Sequence, residues 1–184
     1  MTMTPAPTTA PTTAPARSRR RAWLRDLAFL LAILAGMHWV QTRHVPAGQA
    51  PAFQAPLADG GEVTLSSWRV QHAGKPVLIY FWADWCGVCR AQRGAVEAVM
   101  ADWPVLTVAM SSGNAAQVRH YLRNANLDWP TAIDPDGALA ARFGLRGVPA
   151  MVVVGPTGGI RAVSVGYTPS WSLRARLWWA TLLG

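Results

Sequence analysis

A continuous run of β-branched and aromatic residues, Val77–Trp82, stops just short of the chain's only two cysteines, in Trp85-Cys86-Gly87-Val88-Cys89. A run without polar alternation reads as a strand buried on both faces. After it, Cys89, Val96, Met100 and Trp103 fall on one face of a 3.6-residue period, which predicts a helix over residues 86–101. Cys86 then stands at a helix N-terminus, where unpaired N–H groups and the positive end of the helix dipole favour a thiolate. Cys89 lies one turn further on, within reach of closing a disulfide. Gly87 is expected to leave room beside Cys86 for an incoming polypeptide sulfur.

The same alternation continues on both sides. Gly60-Gly61 separates two short apolar stretches, Phe53–Leu57 and Glu62–Leu65, as in a hairpin. Val105–Met110 reads as a second buried strand, followed by a helix capped by Asn114, with Gln117 completing a capping box, and ending near Asn126. A short strand at Thr131–Ile133 and a helical turn at Ala138–Phe143 come next. Met151–Val154 and Ile160–Val165 flank a Gly/Pro-rich turn and form a second hairpin; Ser170 is expected to cap a last helix from Trp171 to Leu183. Strands alternating with helices imply an α/β domain over residues 53–184.

Charge is concentrated at the front. The chain carries 17 Lys+Arg against 9 Asp+Glu, and six of the arginines lie in residues 1–44 against a single acid, Asp26. The larger part has no basic stripe interleaved with aromatics, so nucleic acid is not an expected partner. Residues 1–16 are a Thr/Pro/Ala tract too poor in large apolar residues to offset its ordering entropy, so residues 1–21 read as a disordered basic tail. The apolar run Leu27–Val40 covers only about 21 Å as a helix, but residues 22–43 make a better span, with Trp23 and Trp39 at the interfaces and Arg25 reaching for head groups. The expectation is one transmembrane signal-anchor at 22–43, N-terminus cytoplasmic, followed by a flexible linker at 44–52. A cleaved signal peptide has the same layout, with small-residue sites at Val45-Pro46-Ala47 or Gly48-Gln49-Ala50.

Two cysteines exclude a multi-bridge scaffold. Zinc needs about four ligands, and histidines 38, 44, 72 and 120 do not supply them at a usual spacing. Covalent haem needs a histidine where Arg90 stands. Redox chemistry, Cu(I) held by the two thiolates, or a structural bridge remain.

Phe81-Trp82-Ala83-Asp84-Trp85-Cys86-Gly87-Val88-Cys89-Arg90 closely resembles the active-site segment of the thioredoxin superfamily. Gly74-Lys75-Pro76-Val77 upstream resembles the membrane-anchored TlpA/ResA-like branch. Downstream, Asp134-Pro135-Asp136-Gly137 and Phe143-Gly144-Leu145-Arg146-Gly147-Val148-Pro149 keep that branch's order. The Gly87-Val88 dipeptide with a single anchor is most similar to ScsD-type proteins linked to copper tolerance. The resemblance implies a thioredoxin-like fold, a central mixed sheet flanked by helices with an N-terminal β-hairpin, preceded here by the transmembrane helix. It implies a disulfide oxidoreductase with Cys86 and Cys89 as its redox-active disulfide. Cys86 would be the attacking and Cys89 the resolving sulfur, with no cofactor and no metal. Trp85, Gly87, Val88, Val148 and Pro149 would contact substrate, with Pro149 cis. Its partners would be protein thiols or disulfides and a transmembrane electron donor of the DsbD/CcdA/ScsB type, on the periplasmic face of a bacterial inner membrane. Reduction is the direction expected; oxidation is the alternative.

The sequence departs from the pattern at several places. Tyr80 stands where thioredoxin has a buried aspartate that assists the second cysteine. Asp84 is the nearest candidate acid/base, with Glu62 and Glu97 further off. Gly94 replaces a kinking proline in the active-site helix, and Gln92 replaces an acidic residue, which should leave the local field more positive. Trp178 and Trp179 cannot both face the core, so one is expected inside and the other at an interface.

Overall fold

The computed structural model describes residues 16–42 and 48–182. The chain divides into two units, one up to Val40 and one from Gln41 onward. The first is a helix, α1 (Ala16–Thr42). It begins within the segment expected to be a disordered tail, because arginine is a good helix former and Pro15 is the last proline before the run. Trp23, Phe29, Leu30 and Leu31 are exposed on it, and Arg25 pairs with the adjacent Asp26 at 3.2 Å. Among the described residues no helix is long and apolar enough to cross a membrane. The tail up to residue 15 and the linker residues up to 47 lie outside the described residues.

In the second unit, the later part of the expected linker is docked. The Ala50 N–H donates to Gly158 O at 2.9 Å, the Ile160 N–H donates to Gly48 O at 2.8 Å, and Arg142 donates to Ala52 O. The expected hairpin forms as β1 (Gln54–Pro56) and β2 (Glu62–Thr64), antiparallel with Ala55 opposite Val63. Gly60 and Gly61, at φ 113° and 77°, make the turn that an L side chain would resist.

A helix that the sequence reading lacked follows at once: α2 (Leu65–Gln71). Thr64 caps it, accepting the Ser67 N–H at 3.0 Å while the Thr64 N–H donates to Ser67 Oγ at 3.1 Å. Serine in the role usually filled by Glu or Gln hid this capping box.

The main sheet contains β3 (Val77–Trp82), β4 (Val105–Met110), β5 (Thr131–Asp134), β6 (Ala150–Val154) and β7 (Ile160–Val165), in the order β5-β4-β3-β6-β7. β3, β4 and β5 are parallel; β6 runs antiparallel to β3, and β7 antiparallel to β6. This is the thioredoxin-like mixed sheet. Every residue of β3 is buried, and alternation divides them between two cores. Leu78, Tyr80 and Trp82 join Val96, Val99, Leu173 and Leu177 on one side; Val77, Ile79 and Phe81 join Phe143 and Leu139 on the other. Each such aliphatic or aromatic side chain contributes about 1.5–3 kcal/mol by leaving water.

Helices α3 (Gly87–Met100), α4 (Ala115–Asn124) and α6 (Ser170–Leu182) are joined by the short α5 (Ala138–Arg142). Asn114 caps α4 as expected, accepting the Gln117 N–H at 3.1 Å while Gln117 Oε1 accepts the Asn114 N–H at 2.9 Å. Three expectations are corrected. The buried face of α3 is Cys89, Gln92, Val96 and Val99; Met100 and Trp103 sit at its margin. Ser170 is the first residue of α6 rather than its cap, and Pro169 O accepts the Ser172 N–H at 3.0 Å. Trp178 and Trp179 are both exposed, because Leu173, Leu177 and Ala180 already fill the inward face of α6.

Candidate active site

β3 leads directly into the site. After Trp82 and the fully buried Ala83, the chain turns at Asp84 and Trp85. Asp84 Oδ1 accepts the Trp85 N–H at 2.8 Å, and the Asp84 N–H donates to Ser112 Oγ at 3.1 Å. The Trp85 indole N–H donates to Ser111 O at 3.0 Å, which fixes an exposed ring beside the cysteines. Cys86 is the N-cap of α3, and its Sγ accepts the Cys89 N–H at 3.1 Å. Thus a helix-terminal donor already points at the sulfur that the sequence assigned as attacking.

Cys86 and Cys89 form a disulfide, with their Cα atoms 5.2 Å apart. Both are buried, at 6% and 3% exposure, so a partner sulfur must approach from one side. That side carries Val148, whose carbonyl oxygen lies 3.7 Å from Cys86 Sγ. The Val148–Pro149 peptide bond is cis, as the resemblance implied. Antiparallel pairing of Phe81 with Ala150 brings this segment to the same end of the sheet as the cysteines. Val88, Trp85 and Tyr167 are exposed apolar side chains of this part of the domain. Tyr167 had no role in the sequence reading; an aromatic directly after Gly166, beyond the last strand, was the available signal.

A Cβ built on Gly87 would meet only Arg90 Nη2 at 3.6 Å, an ordinary contact, so the molecule itself would tolerate a side chain there.

No candidate acid/base residue is bonded to Cys89. The Asp84 carboxylate caps the Trp85 amide. Glu62 accepts from Gln54 Nε2 at 2.6 Å on the two-stranded sheet, and Glu97 lies about 12 Å along α3 from Cys89. Tyr80 occupies the buried position, and its hydroxyl has no hydrogen-bond partner among the described residues. Burial, then the neighbouring Tyr121, raises its ionisation above the ordinary phenol range, with Arg93 opposing weakly, so it stays neutral. The rings form a file: Tyr80 edge-on to Trp129, Trp129 edge-on to Trp82, and Trp82 stacked on Tyr121 at 5.3 Å. Among the described residues no group of three or more His, Cys, Asp or Glu could hold a metal ion.

Gln92 makes contacts that its sequence reading did not contain. It is fully buried. It is bonded twice to the backbone of Thr168, donating to the carbonyl at 2.6 Å and accepting the N–H at 2.8 Å.

A mixed sheet carrying a Cys-x-x-Cys disulfide at a strand-to-helix junction, opposite a cis-proline, defines a thioredoxin-like disulfide oxidoreductase. Comparison with known proteins agrees. The family model described as "AhpC/TSA family" matches residues 46–163, and the chain belongs to that family. The chain is 36% identical over 111 residues to a "Thioredoxin-like protein" of Haemophilus influenzae, covering 60% of this chain and 66% of that one. It is 27% identical over 100 residues to the "Thiol:disulfide interchange protein DsbE homolog" of Paracoccus denitrificans, covering 54% and 55%. It therefore spans just under two thirds of the first relative and just over half of the second. Among solved structures, MTB dsbF in mixed oxidized and reduced forms superposes with a TM-score of 0.60 at 26% identity, covering 70% of this chain and 94% of that one.

Proposed function

We propose that this chain exchanges disulfides with protein substrates through Cys86 and Cys89 and works as a reductase. The carrying observation is the Cys86 sulfur at the α3 N-cap, accepting the Cys89 N–H and facing the Val148 carbonyl. In the dithiol state, the Cys86 thiolate attacks one sulfur of a substrate disulfide. A Cys86–substrate bond forms, the substrate S–S bond breaks, and one substrate thiolate leaves. Cys89, deprotonated, then attacks Cys86 Sγ and displaces the second substrate thiolate. Two electrons have passed to the substrate, and the protein holds the Cys86–Cys89 disulfide. Trp85, Val88, Val148 and Pro149 form the seat for the substrate chain.

Residues 22–43 anchor the protein in a bacterial inner membrane with the dithiol domain outside, and a membrane thiol carrier of the DsbD/CcdA/ScsB type returns the electrons. The exposed apolar side chains of α1 and the arginines ahead of them support the anchor. The Gly87-Val88 dipeptide supports a place near the ScsD-type proteins, and resemblance to the anchored branch supports reduction.

Cys89→Ser is expected to accumulate mixed disulfides with cellular proteins, and Cys86→Ser is not. Equal trapping by both, or by neither, overturns the assigned roles. A mostly reduced pair in growing cells supports reduction, and a mostly oxidised one reverses the direction. Release of the full chain from membranes by alkaline carbonate overturns the anchor.

A further inference from the structure

Gln92 is the one buried side-chain amide on the active-site helix, one turn beyond Cys89. Its two hydrogen bonds to Thr168, at 2.6 and 2.8 Å, reproduce the pairing that one strand offers another. The segment it holds is also tied from the other side. The Gly166 N–H donates to Pro149 O at 2.8 Å, and Thr168 Oγ1 donates to Gly166 O at 3.3 Å. Residues 166–168 therefore bridge α3 to the cis-proline segment, with Tyr167 exposed between the two attachments.

We infer that Gln92 is a positioning residue: its amide locks the Cys89 helix to the Gly166–Thr168 loop and so fixes the distance between the dithiol and the Val148–Pro149 wall. This rests on the disulfide-exchange reading for its effect on substrate, but the lock itself can be read separately. A neutral amide suits the task, since both a donor and an acceptor are required and the site excludes water. Charged side chains of the packed elements are all engaged elsewhere or exposed. On α3, Arg93 donates to the Tyr121 hydroxyl, while Arg90 and Glu97 are exposed. On α6, Arg174 bonds Ala98 O and Asp102, and Arg176 donates to Val163 O.

The experiment compares the full chain with Gln92→Ala and Gln92→Glu. Two quantities are followed from pH 5 to 9: hydrogen-exchange protection of the Thr168 amide, and KM and kcat for reduction of a disulfide-bonded peptide. Glutamic acid has the shape of glutamine and, when protonated, the same donor and acceptor; ionised, it loses the donor, and burial raises the pH at which that happens. Gln92→Ala should lower Thr168 protection about tenfold and raise KM several-fold more than it lowers kcat. Gln92→Glu should match the wild type at the acid end; at the alkaline end its carboxylate still accepts the Thr168 N–H but repels Thr168 O, so its KM should rise toward that of Gln92→Ala. A role in packing alone would leave the Thr168 amide as protected in Gln92→Ala as in the wild type, because no bond to it would be lost.

Wild-type-like protection and KM in Gln92→Ala, or a pH-independent Gln92→Glu, overturns the inference. A wild type that reduces no disulfide overturns the functional reading, while the Thr168 protection still decides the lock.

Discussion

Asp134 offers a sharp test of how the domain is held together next to the site. It ends β5 with 2% exposure, and both carboxylate oxygens are used: Oδ1 accepts the Leu139 N–H at 2.9 Å and Oδ2 the Ala140 N–H at 3.0 Å. These are the first-turn amides of α5, and its N-cap, Gly137, has no side chain to serve them. The Asp134 carbonyl accepts the Ser111 N–H at 2.8 Å, and Ser111 in turn holds the Trp85 indole. Asp134→Ala leaves two buried donors unpaired. At about 1.5–3 kcal/mol for each hydrogen bond to a charged group, and without full additivity, the loss is about 3–4 kcal/mol. Asp134→Asn keeps one acceptor oxygen and should lose about half of that. Urea unfolding of the oxidised protein, followed by far-UV circular dichroism, reads this as a midpoint lower by about 1.5 M for alanine and about 0.8 M for asparagine, with m unchanged. A shift under about 0.5 M for alanine would show that water replaces the carboxylate without penalty, and the capping argument would fail.

Other outcomes follow from single contacts. Gly87→Ala should fold normally and gain up to about 0.5–1 kcal/mol, since its Cβ meets only Arg90 at 3.6 Å. A loss larger than about 1 kcal/mol in the same urea assay would contradict the geometry. Trp85→Ala should change stability by less than about 1 kcal/mol, because the ring is exposed, yet raise KM for protein disulfides. An unchanged KM removes Trp85 from the substrate seat. Tyr80→Phe removes a buried hydroxyl without a partner and should be neutral or slightly stabilising at pH 7. The folded phenol ionises well above its unfolded value of 10.0. Below pH 10 both states keep the proton and stability does not depend on it; above pH 10 stability falls, as the unfolded chain releases a proton that the folded one keeps. Wild type should thus lose up to about 1.4 kcal/mol per pH unit there relative to Tyr80→Phe; parallel curves would refute the burial argument.

What the sequence made legible follows from how local each signal was. β3 and β4 are unbroken apolar runs, the β1–β2 turn needs two glycines, and α4 carries its capping pair within four residues; each announces itself in its own segment. The Cys86 geometry was legible for the same reason, since strand end, N-cap and helix are contiguous. The wall over Cys86 was legible only through resemblance, as nothing near Val148 states that it will face residues far upstream. The Gln92 lock was not legible because its partner, Thr168, is 76 residues away. Trp178 and Trp179 were misread because a tryptophan pair suggests burial, whereas Leu173 and Leu177 had already taken the space. The helix α2 was missed because serine is an inconspicuous capping partner.

β6 runs against β3, so its first residue, not its last, meets the thiol end of that strand. Half of the reaction centre is therefore finished as soon as one strand and one helix have formed, whereas the other half arrives 62 residues later. A chain still emerging from its ribosome, or cut after β5, can close its sulfur bridge while having nowhere to seat a client. Oxidation state is consequently no gauge of maturity in this molecule: the bond can be complete while the enzyme is not.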